Sequence, residues 1–402
     1  MASYVAAHAS SSAQRLGLIA TRTKIMQNKD SGLTWIMSRG FHIAQGRITP
    51  ATLMQVIWAN YIAQPNSSGE TDLGTATLKA SIEYNGVITP LTFGGNAVGN
   101  SAGIAHDFIS DAISVTIPRG ARFYVRSLYV NSANILYEQG SFDSANEHCV
   151  FGTGTPQDFV NSGTVPNPNP GFLMPPLAII GKTSRPGILL IGDSRVKGPL
   201  DVVTDTTGDI GELARSIGPY YAYTCLAVGA STQAQALTNF ANRMRMVQYA
   251  THAINQYGIN DGPYGTGAAS TAENRRLMAV MLGIPTVGCT IPNKTSLSNT
   301  SGTQWTDEVN QTLNGYDVTP YNQLLLSGAS GGPGGEYIVV DMAKVVQPRN
   351  VWDTKSVLGA AIGSTVGSTV GLSLASDGLH ETHYGNERIR DSKVIDPALF
   401  LL

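Results

Sequence analysis

Between Arg185 and Arg195 the chain reads RPGILLIGDSR, in which four apolar residues stand between a Pro-Gly pair and Gly192-Asp193-Ser194. An apolar run of this length with no polar alternation predicts a strand buried on both faces of a parallel sheet over 188–191. Similar short runs follow at 221–228, 252–257, 285–290 and 337–341, and longer helix-compatible stretches lie between them at 208–217, 232–246 and 269–282, with a last one at 382–392. Strand and helix in alternation predict a doubly wound parallel sheet.

Before residue 182 the rhythm is different. In LKASIEYNGVITPLTF, Asn85-Gly86 separates two alternating runs, the strongest short-range hairpin signal. AISVTIPRGARFYVRSLYV predicts a second strand pair turning at Pro118-Arg119-Gly120. LTWIMSRGFHIA and TLMQVIWANYIA carry β-branched and aromatic residues at strand-like spacing, and LAIIG at 177–181 reads as one more strand. Trp35, Trp58, Tyr61 and Tyr84 are expected in the core, with a sugar-stacking platform as the other use of such aromatics. The segment SGTVPNPNPGFLMPP reads as a linker or long surface loop. The expected organisation is therefore an irregular N-terminal arm at 1–30, an all-β domain of sandwich or jelly-roll type at 31–183, and an α/β domain at 184–402.

Composition narrows the function classes. In 402 residues only 13% are charged and the formal net charge is -2, so no basic face suits nucleic acid and no charge block marks a tail. No window approaches the ~20 apolar residues of a membrane span, and the first twenty-five residues lack the apolar core of a secretory signal. These features leave the compartment open, extracellular or virion-associated locations included. Cys149, Cys225 and Cys289 are far apart and form no CxxC pair, which predicts buried thiols rather than a zinc site or disulfide framework.

In doubly wound sheets the working groups gather beyond the carboxyl ends of the strands. There the chain places Ser194, Gly229 and Asn260 after its first three predicted strands. A serine hydroxyl needs a base to become a nucleophile. In SDGLHETHYG, His380 follows Asp377 by three residues, close enough for the carboxylate to fix the imidazole tautomer and aim its other nitrogen at a serine. The Ser194 and Gly229 N–H groups and the Asn260 amide are candidate oxyanion donors. Singly, each residue has a plainer use: Asp377 and His380 can cap the final helix, Asn260-Asp261 can shape a turn, and Asp193 can brace nearby backbone.

Taken together, IGDS, the isolated Gly229, GIND and DGLH occur in the order of the four blocks of the SGNH, or GDSL, hydrolases, which this chain resembles over about residues 186–402. The resemblance implies a flavodoxin-like three-layer α/β/α fold, no metal and no cofactor, and ester hydrolysis through an acyl-enzyme. Ser194 would be the nucleophile, His380 the base and Asp377 its orienter, with Ser194, Gly229 and Asn260 forming the oxyanion hole. Glu381 stands where many relatives have proline, a difference expected to alter the helix start little, and His383 lies one turn beyond His380. The spacer 342–376 is long and rich in small residues, which suits a substrate-lining loop or a solvated crossover.

A β-sandwich beside an SGNH domain resembles modular carbohydrate esterases, so the expected activity is removal of acetyl or another short acyl group from a glycan or small molecule. The alternative is a virion, tail or surface-attachment protein. Its β domain would bind a receptor or partner, assembling as a homo-oligomer or into a virion, and its esterase domain would modify surface glycan or be inactive.

Overall fold

A computed structural model describes residues 14–65, 69–101, 107–140, 142–263, 265–297, 311–348, 351, 374–375, 377 and 379–401. Its second half is organised on the strand Gly187–Gly192, every residue of which is buried. Alternate side chains of this strand enter different cores. Ile188 and Leu190 pack with Leu213, Ile217 and Ile389, and Leu189 and Ile191 face Met246, Met278 and Leu282. Helices therefore cover both faces, which explains why the strand shows no polar alternation.

The sheet is parallel throughout, in the order Thr23–Lys24, Ala222–Cys225, Gly187–Gly192, His252–Gln256, Thr286–Cys289 and Ile338–Val340. Leaving aside Thr23–Lys24, this is the 2-1-3-4-5 order of doubly wound sheets, whose ligand crevice opens where the strand order reverses beside strand 1. Ser194 follows that strand directly.

The first half consists of antiparallel sheets. Trp35–Ile43 lies between Arg122–Val130 and His148–Gly152, and Thr77–Tyr84 pairs with the far side of Arg122–Val130. Thr77–Tyr84 and Val87–Pro90 form the expected hairpin, with φ values of 49° at Asn85 and 77° at Gly86 that suit a two-residue primed turn. A second sheet runs Arg15–Leu18, Ala178–Thr183, Gln55–Ala59 and Asp107–Ile109. Trp35, Trp58 and Tyr61 are buried and Tyr84 packs against the largest core, so these rings are core residues.

Three expectations need correction. The N-terminal stretch is not an irregular arm over its described part. Arg15–Leu18 pairs with Ala178–Thr183, Thr23–Lys24 extends the parallel sheet, and Asn28–Asp30 pairs with Ile135–Gln139. Strands of two to four residues are too short to show a period, and their partners lie more than a hundred residues away. The turn at Pro118-Arg119-Gly120 exists, with Ala121 N–H donating to Pro118 C=O, but it does not close a hairpin. Residues 113 and 117 make only isolated bridges to Met54 and Ile48, and Arg122–Val130 pairs with distant strands instead. The single helix expected over 232–246 is a short helix, Gln233–Thr238, followed by a 3-10 segment, Arg243–Tyr249.

The largest hydrophobic core joins the halves, with Ile36, Trp58 and Ile179 in the same cluster as Leu189, Leu226 and Met278. Of the 342–376 spacer, Ala343–Val346 is a short helix and most of the remainder lies outside the described residues. The three cysteines are buried and free. Among the described residues no helix is long and apolar enough to cross a membrane.

Candidate active site

Gly192 permits a sharp exit from the first strand: a β-carbon there would lie 2.3 Å from Val196 Cγ2 and 3.2 Å from the Gln256 carbonyl oxygen. Asp193 caps the short helix Ser194–Lys197 by accepting the Arg195 N–H at 3.1 Å. Asp193 is fully buried, and burial, aided by the nearby charge of Asp261, pushes its carboxyl up to about 7. The side chain that follows it in sequence, Ser194, is half-buried at the end of the strand.

A row of three side chains converges there. His380 Nε2 lies 2.9 Å from Ser194 Oγ, and His380 Nδ1 lies 2.7 Å from Asp377 Oδ2. The other carboxylate oxygen, Oδ1, accepts the backbone N–H groups of Leu379 at 2.8 Å and His380 at 2.7 Å. Partial burial opposes the charge on Asp377, but the imidazole and the two N–H groups outweigh it and hold the carboxyl down at about 2. An ionised carboxylate can only accept, so Nδ1 carries the proton of the neutral ring and Nε2 is left to accept from the serine hydroxyl.

The candidate oxyanion donors are arranged less simply. A β-carbon on Gly229 would lie 3.8 Å from Ser194 Cβ, so the two residues are neighbours. The Gly229 N–H, however, donates to Gln27 Oε1 at 2.9 Å, and its C=O accepts from Gln27 Nε2 at 3.0 Å. Asn260 is half-buried and gives one amide hydrogen to the Ser231 carbonyl at 3.1 Å. The adjacent Asp261 is buried and accepts the Gln233 N–H with both oxygens, which fixes the start of the helix Gln233–Thr238.

Several functional neighbours were not read from the sequence. Gln27 follows Thr23–Lys24, and because that strand is parallel to the others its carboxyl end emerges at the same rim as Ser194 and Gly229. Lys197, one turn after Ser194, donates to Gln27 Oε1 at 2.7 Å and pairs with Glu138 at 2.6 Å. Glu381 does more than occupy a helix start: it is buried 3.6 Å from Nη1 of Arg195, the residue that follows Ser194. Burial raises its pKa, as it does that of the neighbouring Glu212. His383 stacks on Tyr384 with ring centroids 3.8 Å apart. Among the described residues no group of three or more His, Cys, Asp or Glu could hold a metal ion.

A cavity of about 230 Å³ lies between the halves, walled by Ser194, Lys197 and Gly229 on one side and Glu138, Phe142 and Met174 on the other. It shares Gly140 and Phe142 with an open cleft of about 660 Å³ that runs past Asp143, Thr204 and Asp205.

No family model and no curated protein matches the chain. Solved structures similar to it include an acetylxylan esterase from Geobacillus stearothermophilus, at 12% identity over 52% of this chain and 92% of that one, with a TM-score of 0.33. A member of the lipolytic G-D-S-L family from Veillonella parvula is 14% identical over 53% of this chain and 98% of its own, with a TM-score of 0.34. A peptidoglycan O-acetylesterase is 11% identical over 98% of this chain and 79% of its own, with a TM-score of 0.36. These are likenesses in outline, and the functional argument rests on the geometry around Ser194.

Proposed function

We propose that the chain is a serine-dependent carboxylic ester hydrolase of SGNH type, acting on a short acyl group, acetyl foremost, carried by a carbohydrate. The observation that carries this reading is the unbroken row Asp377, His380, Ser194 at 2.7 and 2.9 Å. As the Ser194 oxygen adds to the ester carbon, its proton moves to His380 Nε2 and the carbonyl electron pair moves onto oxygen. Backbone N–H groups of Ser194 and Gly229 and the Asn260 amide are the donors for that oxyanion. Collapse expels the alcohol, which takes the proton from Nε2 and leaves an acyl-serine. Water, deprotonated by the same nitrogen, then releases the acid and restores the hydroxyl.

The small cavity beside Ser194 suits a short acyl chain, and the open cleft lined by Asp143, Ser144, Thr204 and Asp205 suits a hydroxyl-rich alcohol. On this reading residues 31–183 form a β-sandwich-like unit and 184–402 the hydrolase unit. The boundary near residues 182–185 is one of topology, since the core crosses it.

The test is labelling by a serine-directed fluorophosphonate, together with hydrolysis of acetyl to octanoyl p-nitrophenyl esters and of acetylated xylan and peptidoglycan fragments. Labelling that disappears in Ser194→Ala, with acetyl esters preferred, is expected. No labelling of the folded protein would overturn the esterase reading, and preference for long chains would overturn the acetyl assignment.

A further inference from the structure

Gly229 N–H points at an oxygen of the protein itself. Gln27 Oε1 lies 2.9 Å from that nitrogen and 2.7 Å from Lys197 Nζ. The orientation of the amide is fixed by its partners: two donors demand oxygen at this position, and the Gly229 carbonyl demands the NH2 group at the other. An uncharged carbonyl oxygen thus sits between a backbone N–H and an ammonium, beside Ser194. That is the environment an ester oxygen needs as it gains charge.

We propose that Gln27 occupies the oxyanion subsite of the free protein, and that the substrate's carbonyl oxygen displaces its Oε1 and comes under Lys197 Nζ as well as Gly229 N–H. The proposal rests on the esterase reading and adds two residues to it. Gln27 is a resident competitor for the site, and Lys197 is an oxyanion donor that supplies full positive charge.

The surrounding groups suit both roles. Gln27 is half-buried and stands between Gly229 and Lys197, both of which line the cavity, so its side chain can leave them without unfolding a core element. Lys197 does not depend on Gln27 for its position, because Glu138 holds Nζ at 2.6 Å. Glu138 is completely buried, and despite that burial the charges of Lys197 and Lys24 keep its pKa below the ordinary value. The carboxylate therefore stays charged and keeps the ammonium at the rim when the amide leaves. Glu138 also accepts the Gln27 backbone N–H at 3.3 Å, so rotation of the side chain leaves the main chain anchored.

The experiment compares the wild-type chain with Gln27→Ala, Gln27→Glu and the pair Gln27→Ala/Lys197→Met. It uses p-nitrophenyl acetate turnover, the second-order rate of fluorophosphonate inactivation, and a melting curve for each. Gln27→Ala is expected to react about 3- to 10-fold faster in both kinetic assays even where its melting temperature falls, since a merely structural glutamine would not raise a rate when truncated. Gln27→Glu, which sets a carboxylate against Lys197 and Gly229 N–H, is expected to be at least about 10-fold slower than wild type. Adding Lys197→Met is expected to lower kcat about 10-fold or more relative to Gln27→Ala with little change in KM. Equal or slower reaction of folded Gln27→Ala, beside a wild type that labels normally, overturns the proposal alone. An inert wild type overturns the esterase reading and this proposal with it.

Discussion

Asp377→Asn is the sharpest probe of the row, because it changes the hydrogen-bonding sense of one atom and little else. The asparagine carbonyl can keep the two backbone N–H groups that Oδ1 now accepts, from Leu379 and His380, so the loop should hold its shape. At the Oδ2 position, however, an NH2 donor would face His380 Nδ1 across the present 2.7 Å contact. The ring would then carry its proton on Nε2 and meet Ser194 Oγ as a donor, unable to take the hydroxyl proton. Loss of general-base catalysis with the wrong tautomer lowers turnover by about 10²–10⁴-fold, or about 2.7–5.4 kcal/mol at 1.36 kcal/mol per decade. The Asp377 side chain is 43% exposed, so water can partly replace it, and the expected loss lies in the lower half of that range. The assay is kcat/KM for p-nitrophenyl acetate between about pH 5 and 8, where histidine ordinarily titrates. Since the Asp377 carboxyl is held at about 2, it stays ionised throughout this window and adds no ionisation of its own to the wild-type profile. A folded Asp377→Asn variant that keeps more than about a third of wild-type kcat/KM would refute the tautomer argument, since even the weakest general-base contribution is about 10²-fold.

Two further outcomes concern the scaffold under the site. The Asp193 carboxyl is raised from 3.8 to about 7 by burial and then by Asp261, so between about pH 4 and 7 the folded chain holds a proton that the unfolded chain has lost. Its stabilising contribution is complete below the lower value and fades as pH rises through the upper one. Asp193→Asn can keep the cap to Arg195 and should flatten part of the fall in melting temperature across that window, with Glu212 and Glu381 carrying the rest; an unchanged slope would contradict the assignment. Arg275 is fully buried, bonded to Glu336 at 2.7 Å and to the carbonyl oxygens of Asn255 and Cys289 at 2.8 Å each. Arg275→Met would leave Glu336 buried without its cation and should cost about 3–5 kcal/mol in urea unfolding, whereas a cost under about 1 kcal/mol would show that the site relaxes.

The features that were legible in the sequence are those whose signals are local. The run ILLI is apolar at every position since both its faces are covered, Asn85-Gly86 supplies the positive φ values its hairpin requires, and Asp377 lies within three residues of the ring it orients. What the sequence concealed is non-local. Thr23–Lys24 is too short to carry a period, and its strand character exists only because Thr224 and Cys225 lie alongside it. Residues 113–117 alternate like a strand, yet the neighbouring backbone offers them only isolated bridges. Gln27 carries no sequence signal of function. Its place at the rim follows from the direction of a two-residue strand whose partner is 201 positions away.

That edge strand also explains why the two halves cannot be treated as a catalytic unit with a passive attachment. Thr23 pairs with Thr224 and its hydroxyl donates to the Tyr223 carbonyl, so the N-terminal stretch is built into the parallel sheet. Four residues after Thr23, Gln27 reaches Gly229, and Glu138 from the antiparallel half anchors both the Gln27 backbone and the Lys197 ammonium. Further ties cross the same boundary: Glu70 pairs with Arg243 at 2.7 Å, and the Arg122 guanidinium donates to the Thr206 carbonyl at 2.8 Å. Arg243 and Glu70 are almost fully buried, so separating them would strand charges away from water, a far larger penalty than loss of a surface pair. Any shift of the β-rich half against the parallel sheet must therefore move Gln27, Lys197 or Glu138; Lys197 and Glu138 line the small cavity that Ser194 also lines, and Gln27 is bonded to Lys197. The open cleft meets that cavity at Gly140 and Phe142, so the strand Ile135–Gln139, whose Glu138 holds the Lys197 ammonium, leads directly into the wall that the two share.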